Sequence, residues 1–440
     1  MLSAEANERL TRVGAGTPMG ELLRRYWIPV RPTSQILTEN VLPVRVLGEN
    51  LVLFRTLAGE LGLVGERCPH RMTELKYGYP DDAGLRCCYH GWMFGTSGQC
   101  LEMPLESPHS TLKDHIRIKA YRVKEMGGLV WAYLGSEPAP LLPPWDLFII
   151  PNCIRQIGVM ELPCNWLQAQ ENAGDPTHSA ILHGSYFRYI LNKKSDGSES
   201  QSEEALKARR ELGVGIERLW AEARPYGMAK GIVYSKALGA PRDYTSEHST
   251  VIFPFSTQTG HANQVRQELQ LRVPIDDTHT YHISYSCFLA LNGVEAPQQD
   301  VIPWFRVPLY DEQSQPILNN ILSQDAHAWI AQGSIADRTK ENLGRTDVPV
   351  SFLRKQLEEQ LQIVEKGGDP MNVFRDPEHT RAILHGGHWE VSASTENASS
   401  DGAKEAYDRG YNFYEDANRF GPALPEIIEM VRKINEAATA

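Results

Sequence analysis

At 440 residues, with 41% hydrophobic and 22% charged residues, the chain is long enough for two or three domains with separate cores and has an ordinary soluble composition. A formal net charge of −11 and scattered basic residues argue against a nucleic-acid surface, and seven cysteines over this length are no disulfide framework. No run approaches the ~20 apolar residues of a membrane span, and MLSAEANERL is too polar for a signal peptide, so the reading is a cytoplasmic protein.

Residues 4–26 predict two short helices around a GAGTP turn, within a 1–39 segment expected to pack on a later domain. GAGTPMG is one residue off a dinucleotide fingerprint, contains proline and follows no strand, so it fails as a nucleotide site. From about residue 41 the texture becomes short alternating runs with Gly and Ala-Gly turns. This predicts a small all-β domain over 40–145, closed by a proline-rich PAPLLPPW that reads as a linker.

That domain contains CPHRMTELKYGYPDDAGLRCCYHGW, from Cys68 to Trp92. Each of two loops offers a thiolate and an imidazole: Cys68 with His70, and Cys87 with His90. Zinc fingers usually pair cysteine with cysteine and histidine with histidine. The mixed pairs suit a Rieske [2Fe–2S] centre, in which each loop gives its thiolate to one iron and its imidazole to the other. Structural zinc is the alternative. Cys88 is a competing thiol, but only Cys87 keeps the Cys-x-x-His spacing to His90. Gly78, Gly84, Gly91 and the Pro-Asp-Asp turn at 80–82 fit loops bent tightly around a cluster.

Residues 160–190 read as helical around NWLQAQENAGDPTHSAILHG. His178 and His183 stand five apart, which on a regular helix is about 140°. They could share a metal only if the helix ended or bulged between them. Asp175 precedes His178 by three, on the same face. Two histidines and a carboxylate are the ligand set of non-haem Fe(II) oxygenases. Asn172 and Gln168 lie on the Asp175 side, where ordering of water near the metal and plain helix hydrogen bonding are both open readings. A polar stretch around 190–210 reads as a surface loop. The runs GVGIERLWAEA, GIVYSKAL, STVIFPF, QELQLRVPI and TYHISYSCFLAL predict one antiparallel sheet of five or more strands. Helical patterns follow in SQDAHAWIAQG, SFLRKQLEEQLQIVEKG and PEIIEMVRKINEAA. The fold class is therefore α+β: an all-β domain followed by a 146–440 domain with an antiparallel sheet flanked by helices.

The string CPHR…YHGW and the pattern Asn-Trp…Glu-Asn…Asp-x-x-His-x-x-x-x-His resemble the Rieske non-haem iron aromatic-ring-hydroxylating oxygenases, terminal oxygenase subunit. The opening segment and QDAHAWIAQGSIADRTKENLG resemble the phthalate dioxygenase-like branch. CNWLQAQEN and GGDPMNVFRDP are also similar to oxygenases that demethylate lignin-derived biphenyls. The resemblance implies a [2Fe–2S] cluster on Cys68, His70, Cys87 and His90, and a mononuclear Fe(II) on His178, His183 and a carboxylate from the helices after the sheet. Asp325 fits that position best. Asp337 beside Arg338 reads as a salt bridge, and Asp347 as a helix cap. The resemblance further implies that Asp175 bridges to a Rieske histidine of a neighbouring subunit, in a homotrimer or a hexamer.

Electrons would come from NAD(P)H through a flavin and iron–sulfur reductase, or a ferredoxin plus reductase, with O2 as cosubstrate. The implied reaction is hydroxylation of an aromatic carboxylate in the manner of phthalate dioxygenase. The alternatives are O-demethylation or ether cleavage of a lignin-derived or diaryl acid and, from a different class, an electron-transfer iron–sulfur protein without mononuclear iron. A carboxylate substrate wants an arginine, for which Arg209, Arg210, Arg224 and Arg242 are candidates.

Overall fold

The computed structural model describes residues 1–187, 189–190, 216–234, 245–259, 266–290, 294–377 and 421–439. The expected opening helices are Ala4–Thr11 and Pro18–Leu23. GAGTP is a capping turn: Thr17 Oγ1 accepts the Gly20 N–H at 3.1 Å, and Pro18 occupies the first helical turn, where no donor is needed.

The first domain's strands are β1 (Trp27–Pro32), β2 (Val41–Val46), β3 (Glu49–Arg55), β4 (Leu61–Gly65), β5 (Tyr79–Pro80), β6 (Leu85–Arg86), β7 (Met93–Phe94), β8 (Cys100–Glu102), β9 (Ala120–Met126) and β10 (Leu129–Tyr133). They form a six-stranded sheet, β1-β10-β9-β4-β3-β2, and a small sheet, β5-β6-β7-β8. The lead-in segment is thus not all helical, since β1 pairs with β10.

The second sheet contains β11 (Cys153–Leu162), β12 (Ile216–Arg224), β13 (Gly227–Tyr234), β14 (Thr245–Ile252), β15 (Ser256–Thr259), β16 (Arg266–Asp276), β17 (His279–Leu289) and β18 (Trp304–Arg306). Its order is β12-β13-β14-β15-β16-β17-β11-β18. All pairings are antiparallel except that of β18, which runs parallel to β11. The five strand runs of the sequence reading are all present. β11 occupies the start of the stretch read as helical, and the helix proper begins at Trp166.

The central strands have two unlike faces, both buried. Leu269, Leu271, Val273, Tyr281, Ile283 and Tyr285 form the apolar face and share one core with Leu42, Val44, Leu47 and Trp131 of the first domain. The β2–β3 turn explains this continuity. Leu47 and Gly48 both have positive φ (48° and 77°), as a tight two-residue hairpin demands. Their N–H groups donate to the carbonyls of Pro274 and Ile275 on β16 at 3.1 and 2.8 Å. A leucine is held in a conformation favouring glycine because its side chain, fully buried, contributes about 1.5–3 kcal/mol of apolar burial. PAPLLPPW is embedded in this core through Leu142 and Trp145, so it is no free linker.

The opposite face carries Glu268, Gln270, Arg272, His282, Ser284 and Ser286, residues that alternate with the apolar set. The helix Ile321–Ile330 lies against it, with Trp329 beside Arg272 and His282. The helix Val348–Glu365 buries Leu353, Leu357 and Leu361 in the main core, and Pro425–Thr439 packs Ile427, Val431 and Ile434 on Ile154 and Phe288.

Candidate metal centres and active site

Two loops, one between β4 and β5 and one between β6 and β7, repeat one hydrogen-bond ring. Cys68 N–H donates to Thr73 O at 2.9 Å, and Met72 N–H returns to Cys68 O at 2.8 Å. Cys87 N–H donates to Trp92 O at 2.9 Å, and Gly91 N–H to Cys87 O at 3.0 Å. The fourth residue after each cysteine, Met72 or Gly91, has positive φ (61° and 75°). A Cβ on Gly91 would also meet Pro104 Cγ at 2.8 Å, so glycine is needed there twice over.

The rings sort the four side chains by chemistry. Cys68 and Cys87 are buried with their thiols in hydrogen-bond contact. His70 and His90 have ring centroids 4.4 Å apart, and Trp92 stacks on His70 at 4.5 Å and 10°. Burial, chiefly, and the neighbouring Cys87 push the Cys68 thiol up to about 12. His70 Nδ1 is buried without a hydrogen-bond partner. Sulfurs on one side, imidazoles on the other and an orphaned ring nitrogen fit a [2Fe–2S] group with a different ligand pair on each iron. Cys88 is exposed, leaving Cys87 as the inward thiol.

The second group lies between a helix end and the helix across from it. Trp166–Gly174 is capped by Asn165, whose Oδ1 accepts the Leu167 N–H at 3.1 Å. It stops before Asp175-Pro176, since a residue preceding proline is driven to extended backbone, here ψ 111°. Asp175 Oδ1 accepts the Thr177 N–H at 2.7 Å and its hydroxyl at 2.6 Å, restarting the helix at His178–Ala180. The chain then widens into a π-helix, Ile181–Tyr186. This is the bulge the five-residue spacing demanded: an i→i+5 turn swings His183 back toward the face of His178.

Asp325 closes the set. Its Oδ1 lies 3.1 Å from His183 Nε2 and 3.5 Å from His178 Nε2. The ligand atoms of His178, His183 and Asp325 all lie within 4.8 Å of one another. Both imidazoles are fixed from behind. His178 Nδ1 is 2.8 Å from the Asp175 carbonyl oxygen, which can only accept, so Nδ1 carries the proton. His183 Nδ1 is 2.9 Å from Gln324 Oε1, and Gln324 Nε2 is held at 2.8 Å by Leu318 O. Each Nε2 is therefore the unprotonated ring nitrogen and faces Asp325, the arrangement that fixes ring orientation in metal sites. Burial pushes the Asp325 carboxyl up, but the two histidines and Arg272 outweigh it and hold the group below its ordinary value. Asn172 Nδ2 sits 3.4 Å from Asp325 Oδ1.

A sequence profile of the Rieske [2Fe-2S] domain matches residues 26–122. The chain is 39% identical to the 5,5'-dehydrodivanillate O-demethylase oxygenase subunit of Sphingobium sp. (strain SYK-6), covering 87% of this chain and 86% of that one. It belongs to the Rieske oxygenases. The oxygenase subunit of Pseudomonas putida phthalate 4,5-dioxygenase is 31% identical, over 83% of this chain and 88% of its own. Among solved structures, Pseudomonas putida CBB5 NdmA with caffeine shares the fold at a TM-score of 0.58 and 18% identity, covering 79% of this chain and 94% of that one.

For this Rieske oxygenase the remaining sequence candidates separate cleanly. Asp337 is exposed and pairs with Lys340 at 2.8 Å, not with Arg338. Arg338 instead turns inward to Glu171 at 2.7 Å. Asp347 precedes the helix Val348–Glu365, but its carboxylate accepts the Gly344 N–H at 2.6 Å, away from the triad. Gln168 ties its helix to the Asp325 helix by donating to Trp329 O and Gly333 O at 2.8 and 3.0 Å, the plain structural reading. Arg224 pairs with Glu222 at 2.5 Å. Arg209, Arg210, Arg242 and the polar stretch at 191–210 lie outside the described residues.

Sequence reasoning missed Gln324, Lys230, Arg272 and His282. Gln324 adjoins Asp325 in sequence, which was its one signal. Lys230 on β13 donates to Ala173 O at the end of the Trp166–Gly174 helix, and burial pulls it down to about 7. Nothing in its strand marks it.

Proposed function

We propose that this Rieske oxygenase takes electrons from a separate reductase, directly or through a ferredoxin, and uses O2 to oxidise an aromatic carboxylate, with NAD(P)H consumed at the reductase. The observation that carries this reading is the His178, His183 and Asp325 triad, half-buried at His178 and buried at the other two, with both Nδ1 positions tied down, in the same chain as the paired Cys/His loops. Cys68, His70, Cys87 and His90 would hold the cluster; His178, His183 and Asp325 would hold Fe(II). When bound, the cluster supplies single electrons and the mononuclear iron binds and activates dioxygen.

The protein's own groups do the positioning. Asn172 donates toward Asp325 and limits rotation of the carboxylate. Burial pushes Asp175 up, but His178 and the two Thr177 hydrogen bonds outweigh it and hold its carboxyl at about 2, so it stays anionic at neutral pH. Its side chain is 25% exposed, and Oδ2 stands 3.7 Å from His178 Nδ1. A partly exposed anion beside a candidate iron ligand suits acceptance of an imidazole N–H from the Rieske loop of a neighbouring subunit, in a homotrimer or hexamer.

Substrate pose decides the product: a ring edge toward the iron gives ring hydroxylation, a methoxy carbon gives an unstable hemiacetal and then formaldehyde. The 39% identity to an O-demethylase subunit, against 31% to the phthalate dioxygenase subunit, favours the methoxy carbon. The test is incubation with a surrogate reductase, NADH and a panel containing dehydrodivanillate, phthalate and 3-phenoxybenzoate, following O2 uptake and formaldehyde. Acid-dependent O2 uptake with formaldehyde from the methoxylated acid supports the proposal. Uptake that no panel acid stimulates contradicts it.

A further inference from the structure

Strand β16 alternates, and its even-numbered residues face the Asp325 helix: Glu268, Gln270 and Arg272, continued across β17 by Ser286, Ser284 and His282 in register. In a sheet with one solvated face this pattern would put polar groups in water. Here the polar row is buried, with Arg272 2% and His282 0% exposed. Buried polar groups ordinarily find partners, so those without one call for an explanation.

Most of the row is satisfied. Glu268 accepts from Arg266 at 2.8 Å, from Ser284 at 2.7 Å and from Gln270 at 3.0 Å. Lys230, a second buried basic group near the triad, donates to Ala173 O. Arg272 differs. Its Nη2 donates to Gln270 Oε1 at 2.6 Å, but among the described residues nothing accepts from its Nε or Nη1. Both ring nitrogens of His282, its direct cross-strand partner, and Trp329 Nε1 are likewise buried without partners. These groups are neighbours: the Arg272 guanidinium carbon lies 5.7 Å from the Trp329 ring centroid, and His282 5.5 Å from it. Trp329 is one helical turn beyond Asp325, and the charges of Arg272 and Asp325 act on each other. A buried guanidinium with two idle nitrogens beside further idle N–H groups is complementary to an anion with several acceptor lone pairs.

We infer that Arg272, with His282 and Trp329 beside it, forms the subsite that receives the carboxylate of the aromatic acid. The inference rests on the aromatic-acid reading above and locates the anchor that reading requires. It adds to the arginines suggested by the sequence, of which Arg209, Arg210 and Arg242 lie outside the described residues, one on the floor of the sheet. A buried guanidinium carried on a β-strand and hydrogen-bonded to Gln270 is held in place before substrate arrives, so little ordering entropy is lost on binding.

The test compares each panel acid with its methyl ester on wild type, Arg272→Gln and Arg272→Lys, with iron content and the reduced EPR spectrum as controls. For Arg272→Gln we expect KM for the acid to rise roughly 10- to 100-fold while KM for the ester stays within about twofold, with Lys giving partial rescue. An acid KM within about threefold of wild type, or parallel weakening of acid and ester, would overturn the subsite. A crystal of wild-type protein soaked with the acid supplies a second measurement should Arg272→Gln lose its iron. The carboxylate within hydrogen-bond distance of Arg272 is expected, and a carboxylate seated elsewhere refutes the assignment. If wild type binds and turns over no panel acid, the functional reading falls and takes the subsite with it. If wild type responds and Arg272→Gln behaves alike, the subsite alone falls.

Discussion

Among single residues, the groups behind the histidines govern metal affinity. Gln324 fixes the His183 tautomer and ring angle through a 2.9 Å contact that touches no ligand atom. Gln324→Leu is therefore expected to weaken mononuclear iron binding roughly 10- to 100-fold while leaving the cluster spectrum unchanged. Iron titration followed by O2 uptake checks this, and wild-type affinity would show the contact to be incidental. Asp175→Asn keeps the Thr177 hydrogen bonds possible but removes the charge. Full metal content with nearly abolished steady-state turnover is expected; normal turnover would remove Asp175 from the electron path. The candidate ligands were legible as clusters because short, chemically loaded spacings survive without knowledge of the fold. Arg272 was not. An arginine in an alternating strand looks like a solvent-facing residue until the helix that covers it is placed.

At the scale of elements, the β16–β17 turn joins the layers. Asp277 Oδ1 accepts the Val13 N–H at 2.8 Å, and Asn165 Nδ2 donates to Asp277 O at 2.7 Å. Asp276 accepts from Thr278 N–H at 2.9 Å, from His279 at 3.0 Å and from Arg45 of β2 at 3.1 Å. Burial raises the Asp276 carboxyl, but these bonds outweigh it and bring the group to about 2. Its folded value thus lies below the unfolded value of about 3.9. The stabilisation is fully present above the unfolded pKa and is lost as pH falls toward 2. Asp276→Asn should lower the urea midpoint at pH 7 and have a smaller effect at pH 3. An equal decrement at both pH values would show that charge plays no part. The π-helix illustrates what elements conceal from sequence. The spacing of His178 and His183 required a break in the helix, but residues 181–186 do not announce whether it is an end or a bulge. β11 was hidden for a related reason: CIRQIGVMEL is buried on both faces, so the period of two that marks other strands is blurred.

For the whole molecule, one apolar core runs from the six-stranded sheet into the eight-stranded sheet, and the Leu47–Gly48 turn is seated on β16. Such continuity predicts that the two domains unfold together. Thermal loss of the cluster's visible circular dichroism should coincide with loss of far-ultraviolet signal. A cluster signal lost well before the backbone signal would mean that the domains open separately. The fold class and the five strand runs of the second sheet were readable from alternation and length, whereas the sharing of a core was not, because it depends on which buried face meets which.

The central claim is that one chain carries a cluster for electron supply and a separate single iron held by His178, His183 and Asp325. Its most direct test is the iron and acid-labile sulfide content of anaerobically purified wild-type protein beside Asp325→Ala. About three irons and two sulfides per chain are expected for wild type, falling to about two and two in the variant. Two irons and two sulfides in both proteins would contradict it.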